Sequence, residues 1–171
     1  MVTAASTIRQ SAFATENVMK IAVSYSGKER KRVFKITRII QQQMTTPQCS
    51  DPVFIDQDYQ HETCRLNGLS HLLSIYRQAH MVIVFLSPTY TDSRYCSGEW
   101  RTIAQRFLSN RKNKEATQLL LVKLGPYDMN ELDLVDSDFP IDGQRLSNEQ
   151  IADLILRRWK IVEQNLQQRD Q

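Results

Sequence analysis

The feature that most constrains this chain is the run Met81–Leu86 (MVIVFL), six consecutive apolar residues with no polar side chain among them. A strand with one wet face alternates apolar and polar residues. An unbroken run is what a strand covered on both faces needs, and such strands belong to parallel sheets flanked by helices. The run is far shorter than the roughly 20 apolar residues of a membrane span. Three more segments read as strands: residues 18–25 (VMKIAVSY), ending at the turn signal Ser26-Gly27, residues 53–56 (VFID) and residues 118–124 (QLLLVKL).

Helical patterns separate them. Val33, Phe34, Ile36, Ile40 and Met44 share one face, and Leu66, Leu69, Leu73 and Tyr76 recur at helical spacing. Trp100, Ile103, Ala104 and Phe107 mark a third helix. Ser147 caps a last one, with Glu149 in its first turn and Ile151, Ile155, Trp159 and Val162 turned inward. Residues 57–65 predict a polar loop, and a short fifth strand is expected within 139–141. The alternation predicts an α/β fold, a flavodoxin-like three-layer sandwich around a mostly parallel five-stranded sheet of order 2-1-3-4-5.

A length of 171 residues suits one such domain, expected over 18–168, with residues 1–17 a flexible leader or linker and 169–171 a tail. The net charge of +3 is small and its basic residues are dispersed, which gives no case for direct nucleic-acid binding. No segment argues for a membrane. Cys49, Cys64 and Cys96 form no C-x-x-C pair and are odd in number, which fits a reducing, cytoplasmic compartment.

With that strand order the chain reverses direction between the first and third strands, and a ligand crevice opens at their C-terminal ends. The loops that line it carry Ser24, Tyr25, Ser26 and Gly27 after the first strand and Ser87 after the third. Tyr95 and Glu99, at the head of the third helix, close one side, and the 57–65 loop overhangs. Gly27 reads either as a simple turn or as a place where backbone N–H groups approach a phosphate or ribose. Glu99 reads either as a favourable helix N-terminal charge or as a site carboxylate, and Tyr95 either as a packed aromatic or as a wall of the crevice. Asp56 and Asp58 suggest a metal site, and the flavodoxin-like shape invites comparison with response-regulator receivers. Those need an acidic pair where this chain has Ser24-Tyr25-Ser26, so that reading fails. His61 and Cys64 have no second pair of ligands for zinc, and no metal is expected. The basic residues of 28–35 read as the solvated face of the first helix.

Four segments in register resemble the boxes of bacterial TIR (Toll/interleukin receptor-type) domains. They are residues 21–30 (IAVSYSGKER), 53–59 (VFIDQDY), 87–99 (SPTYTDSRYCSGE, against S-x-x-Y-x-x-S-x-W-x-x-x-E) and 143–155 (GQRLSNEQIADLI). Together they span about residues 18–166. The resemblance implies either an NAD⁺-cleaving enzyme or a non-catalytic scaffold that signals by homotypic assembly. In the enzyme the catalytic glutamate falls on Glu99, and the aromatic four residues earlier, usually Trp, is Tyr95. NAD⁺ is then a substrate; no cofactor is implied. Ser24, Tyr25, Ser26, Gly27, Ser87 and Tyr95 become its expected contacts. Asp58, Tyr59 and Arg65 become the expected contacts for TIR–TIR self-association, driven by a sensor domain or protein outside this chain, as in anti-phage effectors of bacteria. A nucleoside deoxyribosyltransferase-like enzyme shares the architecture and an essential glutamate. The chemistry asks for an ionised carboxylate facing the ribose carbon, and a first-turn position for Glu99 is expected to keep it charged.

Overall fold

A computed structural model describes residues 18–64 and 66–170. The expected leader (1–17), Arg65 and the last residue of the expected tail lie outside the described residues. Five parallel strands form one sheet: β1 (Ile21–Tyr25), β2 (Val53–Phe54), β3 (Met81–Leu86), β4 (Leu119–Lys123) and β5 (Ile141–Asp142). Their order is β2-β1-β3-β4-β5, the flavodoxin-like arrangement. The register sets Ile21 beside Val53 and Met81, Val82 beside Leu119, and Val122 beside Ile141.

Two helices cover each face. α1 (Arg30–Met44) and α5 (Asn148–Arg169) pack on the side that receives Ile21, Val23, Ile83 and Phe85. A short α2 (Gln60–Thr63) precedes α3 (Gly68–Gln78), which packs with α4 (Arg94–Phe107) on the side that receives Ala22, Val82, Val84 and Leu86. All six residues of β3 are buried, as a strand between two helical layers must be. α5 begins with a reciprocal cap: Ser147 Oγ accepts from the Gln150 amide, and Gln150 Oε1 accepts from the Ser147 amide. Its buried residues are Ile151, Ala152, Ile155, Trp159 and Val162.

Three local expectations are corrected. Residues 57–65 are not one open loop, because Asp56–Tyr59 wind into a 3-10 turn that runs into α2. The buried face of α3 is Leu72, Ile75 and Tyr76, while Leu66 is 93% exposed and Leu69 is exposed as well. β5 is Ile141–Asp142, and Phe139, inside the expected strand, stands 87% exposed.

Candidate functional site

The C-terminal ends of β1 and β3 open into a cleft of about 490 Å³, within the range of small-molecule sites. Tyr25 and Gly27 come from the end of β1 and the turn beyond it, and Arg30 from the first residue of α1. Asp56 follows β2, Gln60 and Cys64 come from the α2 region, Leu69 and Leu72 from α3, and Tyr95, Cys96 and Glu99 from α4. A larger hollow of about 660 Å³ lies along Trp100, Arg101 and Gln105 of α4 and the Glu131–Asp133 stretch. It runs along α4, and the displaced group in its wall, Tyr90, is a buried hydroxyl, whereas Glu99 lines the cleft at the strand ends, which is therefore the candidate site.

Glu99 forms part of the cleft's lining yet is only 6% exposed. Because α4 starts at Arg94, Glu99 lies in its second turn, and the first turn carries no acidic residue. The expected first-turn charge is therefore corrected to a buried carboxyl. Burial pushes the Glu99 pKa up to about 8, and the nearby Asp56 charge adds to the rise; the hydrogen bond from Ser24 partly opposes it. A helix dipole contributes about 0.3–1 kcal/mol to a terminal charge. Each unit of pKa shift is worth roughly 1.4 kcal/mol, so desolvation wins. Glu99 is mostly protonated at neutral pH in the isolated domain.

The carboxyl is held from behind. Ser24 Oγ, on β1 and fully buried, donates to Glu99 Oε2 at 2.5 Å and lies 2.7 Å from the Tyr90 hydroxyl. Tyr76 Oη donates to Val23 O at 3.1 Å on the same side. Ala22 and Ser24, the small residues of β1, leave the room in which these groups meet. Cys96 Sγ donates to Tyr25 O at 3.4 Å, and burial first, then the Glu99 charge, pushes its thiol up to about 11. It is therefore no thiolate nucleophile at neutral pH. Tyr25 Oη donates to Asp56 Oδ1 at 3.0 Å, and its pKa is raised by burial and by Asp56.

Of the residues singled out as contacts, Tyr25, Gly27, Tyr95 and Glu99 line one cleft. Tyr95 is 66% exposed at its mouth, so it is not a packed core aromatic. Ser24 sits behind Glu99 rather than on the cleft surface. Ser26 and Ser87 are buried: Ser26 Oγ pairs with Thr89 Oγ1 at 2.8 Å, and Ser87 borders a different hollow with Pro126 and Tyr127. Neither lines the Glu99 cleft. Gly27 does not have a positive φ, and a Cβ there would meet only Arg30 Nη2, at 3.9 Å. The turn does not demand a glycine, and the open space points into the cleft.

The proposed assembly contacts fare differently. Asp58 is engaged by a bidentate Arg38 at 3.0 and 2.9 Å within the chain. Tyr59 is 0% exposed, its ring 5.0 Å from that of Phe54, so it is a core residue and offers no ring for stacking on a neighbour. Arg65 lies outside the described residues. Arg32, read as part of a solvated face, instead donates to Gly143 O, Leu146 O and Asn148 Oδ1 and fastens α1 to the start of α5.

The sequence reading missed Arg30 and Tyr90 and set Asp56 aside as a relic of the receiver comparison. Tyr90 carried a signal, since it is the tyrosine of the S-x-x-Y box. Arg30 carried one too, as the arginine that closes the 21–30 box. Cys49, Cys64 and Cys96 are free thiols. Among the described residues no group of three or more His, Cys, Asp or Glu side chains could hold a metal ion, and no helix is long and apolar enough to cross a membrane.

Fold and cleft together define a flavodoxin-like α/β domain with a buried glutamate at its topological switch point. A scan against protein-family models finds none that matches the chain, and a search of curated proteins finds no match.

Proposed function

We propose that this chain is a TIR-type NAD⁺ nucleosidase in which Glu99 is the catalytic carboxyl. One observation carries the reading: a glutamate without an ion-pair partner among the described residues is almost wholly buried, yet borders a ligand-sized cleft at the switch point. Such a carboxyl costs stability, and a desolvated carboxyl that borders a cleft is the kind of group an active site holds. The four boxes that resemble bacterial TIR segments supply the substrate.

The nicotinamide of NAD⁺ is a pyridinium. When its bond to the ribose carbon breaks, both electrons go to the ring nitrogen and the leaving group departs neutral, with no proton required. The ribose carbon gains oxocarbenium character, which an ionised Glu99 stabilises. Water then adds to that carbon and releases a proton, giving ADP-ribose; attack by a group of the same molecule gives a cyclic form instead. The cationic nicotinamide is also what turns a neutral Glu99 into the needed anion, because an adjacent positive charge favours the ionised carboxyl. Arg30, Asp56 and Tyr95 are the further side chains of the cleft available to bind the dinucleotide. In a cell the domain would serve as an anti-phage effector of bacteria, switched on by self-association.

A second reading is a non-catalytic TIR scaffold. The observation in its favour is the same burial, since a carboxyl neutral at pH 7 can be an ordinary core residue. Incubation with NAD⁺ at low and high protein concentration, with free nicotinamide measured, separates the two. The enzyme releases nicotinamide, and Glu99→Gln lowers the rate by about 10²-fold or more, the scale of losing one preorganised electrostatic contact. No release at any concentration, or a Glu99→Gln variant as active as the parent, leaves the scaffold.

A further inference from the structure

The Glu99 carboxyl does not stand alone in its burial. Ser24 Oγ touches two oxygens, Glu99 Oε2 at 2.5 Å and Tyr90 Oη at 2.7 Å. A serine hydroxyl has one proton to donate. When Glu99 is ionised that proton goes to the carboxylate, Ser24 accepts from Tyr90, and the order Tyr90 → Ser24 → Glu99 follows from proton counting. Both hydroxyls are buried, so water does not compete for either bond.

The outer member is rigidly delivered. Tyr90 is 1% exposed, its amide donates to Ser87 O at 3.1 Å, and its ring lies edge-on to Trp100 at 6.5 Å. Trp100 directly follows Glu99 on α4, so the helix that carries the carboxyl also grips the ring that steers it. A tyrosine needed only to fill this space would do so without its oxygen.

We propose that Ser24 and Tyr90 are positioning residues, a two-hydroxyl relay that fixes the orientation of the Glu99 carboxyl at the cleft wall. The relay's effect on turnover rests on the reading of Glu99 as catalytic; its effect on the carboxyl itself does not.

The test uses Tyr90→Phe, which deletes one oxygen, and Ser24→Ala, which removes the direct donor. Two quantities are measured: nicotinamide release from NAD⁺, and the titration of Glu99 followed by carboxyl ¹³C NMR, with its resonance identified by its loss in Glu99→Gln. The titratable and charged groups that face this carboxyl are Asp56 after β2, Tyr76 on α3, Tyr90 after β3 and Cys96 on α4, with Arg30 and Tyr25 across the cleft. Removing a donor to the carboxylate raises its midpoint. The relay predicts an upward move in both variants, larger in Ser24→Ala. It also predicts kcat lowered about tenfold in Ser24→Ala and a few-fold in Tyr90→Phe, with KM changed less than twofold. A structural role alone would lower the thermal midpoint and leave the Glu99 titration in place, and that result in both variants overturns the relay. If the parent protein releases no nicotinamide while the titration still moves, the relay stands and the enzymatic reading falls.

Discussion

The two faces of the sheet solve the same packing problem with different chemistry. The side under α1 and α5 is filled mainly by aliphatic residues, with Phe85 and Trp159 among them: Ile21, Val23 and Ile83 from the strands, Val33, Ile36 and Ile40 from α1, Ile151 and Ile155 from α5. The buried polar group of α1, Thr37, is satisfied by its own helix through Val33 O. The side under α3 and α4 buries the hydroxyls of Ser24, Tyr76 and Tyr90 and the Glu99 carboxyl, linked to one another or to backbone. Apart from Tyr25, whose hydroxyl reaches Asp56 at the cleft, the first face is closed and dry; the other carries a polar chain that ends at the cleft. Stability and chemistry are thus separated by the thickness of one sheet, so the working side can hold a costly carboxyl while the opposite side supplies unconflicted burial.

The largest stability effect should come from the dry face. Ile155→Ala, at a position with no exposure, should cost about 2–5 kcal/mol, visible in denaturant unfolding and independent of pH between 5 and 9. A cost that varies with pH would mean that the two faces are not separable.

The polar face should show the reverse dependence. Glu99 has a folded pKa of about 8 against an ordinary value of 4.5, so between these the unfolded chain binds fewer protons. The Glu99 contribution to stability is then full below about pH 4.5 and is lost as pH rises towards 8, by at most roughly 1.4 kcal/mol per pH unit. Glu99→Gln should remove this slope and leave the protein more stable than the parent at pH 8.5. Parallel pH profiles of the thermal midpoint would show that Glu99 does not titrate as its burial implies. In the catalytic reading the same ionisation makes kcat/KM for NAD⁺ rise with pH, reach half its limit near 8 and level off above it.

A smaller, selective effect is expected at the turn after β1. Gly27→Val meets only the flexible tip of Arg30, so the thermal midpoint should move little, while the added bulk narrows the cleft and slows nicotinamide release. Normal turnover would reduce this turn to a connection. The smallest effect should be at Asp58→Asn, which breaks an ion pair with Arg38, itself 44% exposed, and should cost about 0.2–1 kcal/mol, less at high salt.

Periodicity makes the dry side legible in the sequence. β3 was marked by its unbroken apolar run, α1 and α5 by apolar residues at helical spacing and α5 by its cap, and the parallel order followed from alternation. The phase of α3 was misread because Leu66 and Leu69 look like core by type, and nothing in a linear pattern says that the helix begins only at Gly68. Tyr59 was misread for the converse reason: its neighbours Gln57, Asp58, Gln60 and His61 are polar, but a 3-10 turn folds its ring onto Phe54. The position of Glu99 in the crevice was legible from topology. Its burial was not, because it depends on Ser24, Tyr76 and Tyr90, which lie far away in sequence and meet only when the strands align.

Both outer strands of the sheet, β2 and β5, are two residues long. An exposed strand edge of any length offers a ladder of backbone donors and acceptors to a neighbour, and short edges withhold it. Copies of this domain therefore have almost no backbone with which to join sheets across a boundary. A cluster of them would be held by side chains from helices and loops, with each unit free to enter and leave intact. Crowding many copies together need not carry them towards the continuous hydrogen-bonded stack of a cross-β fibril.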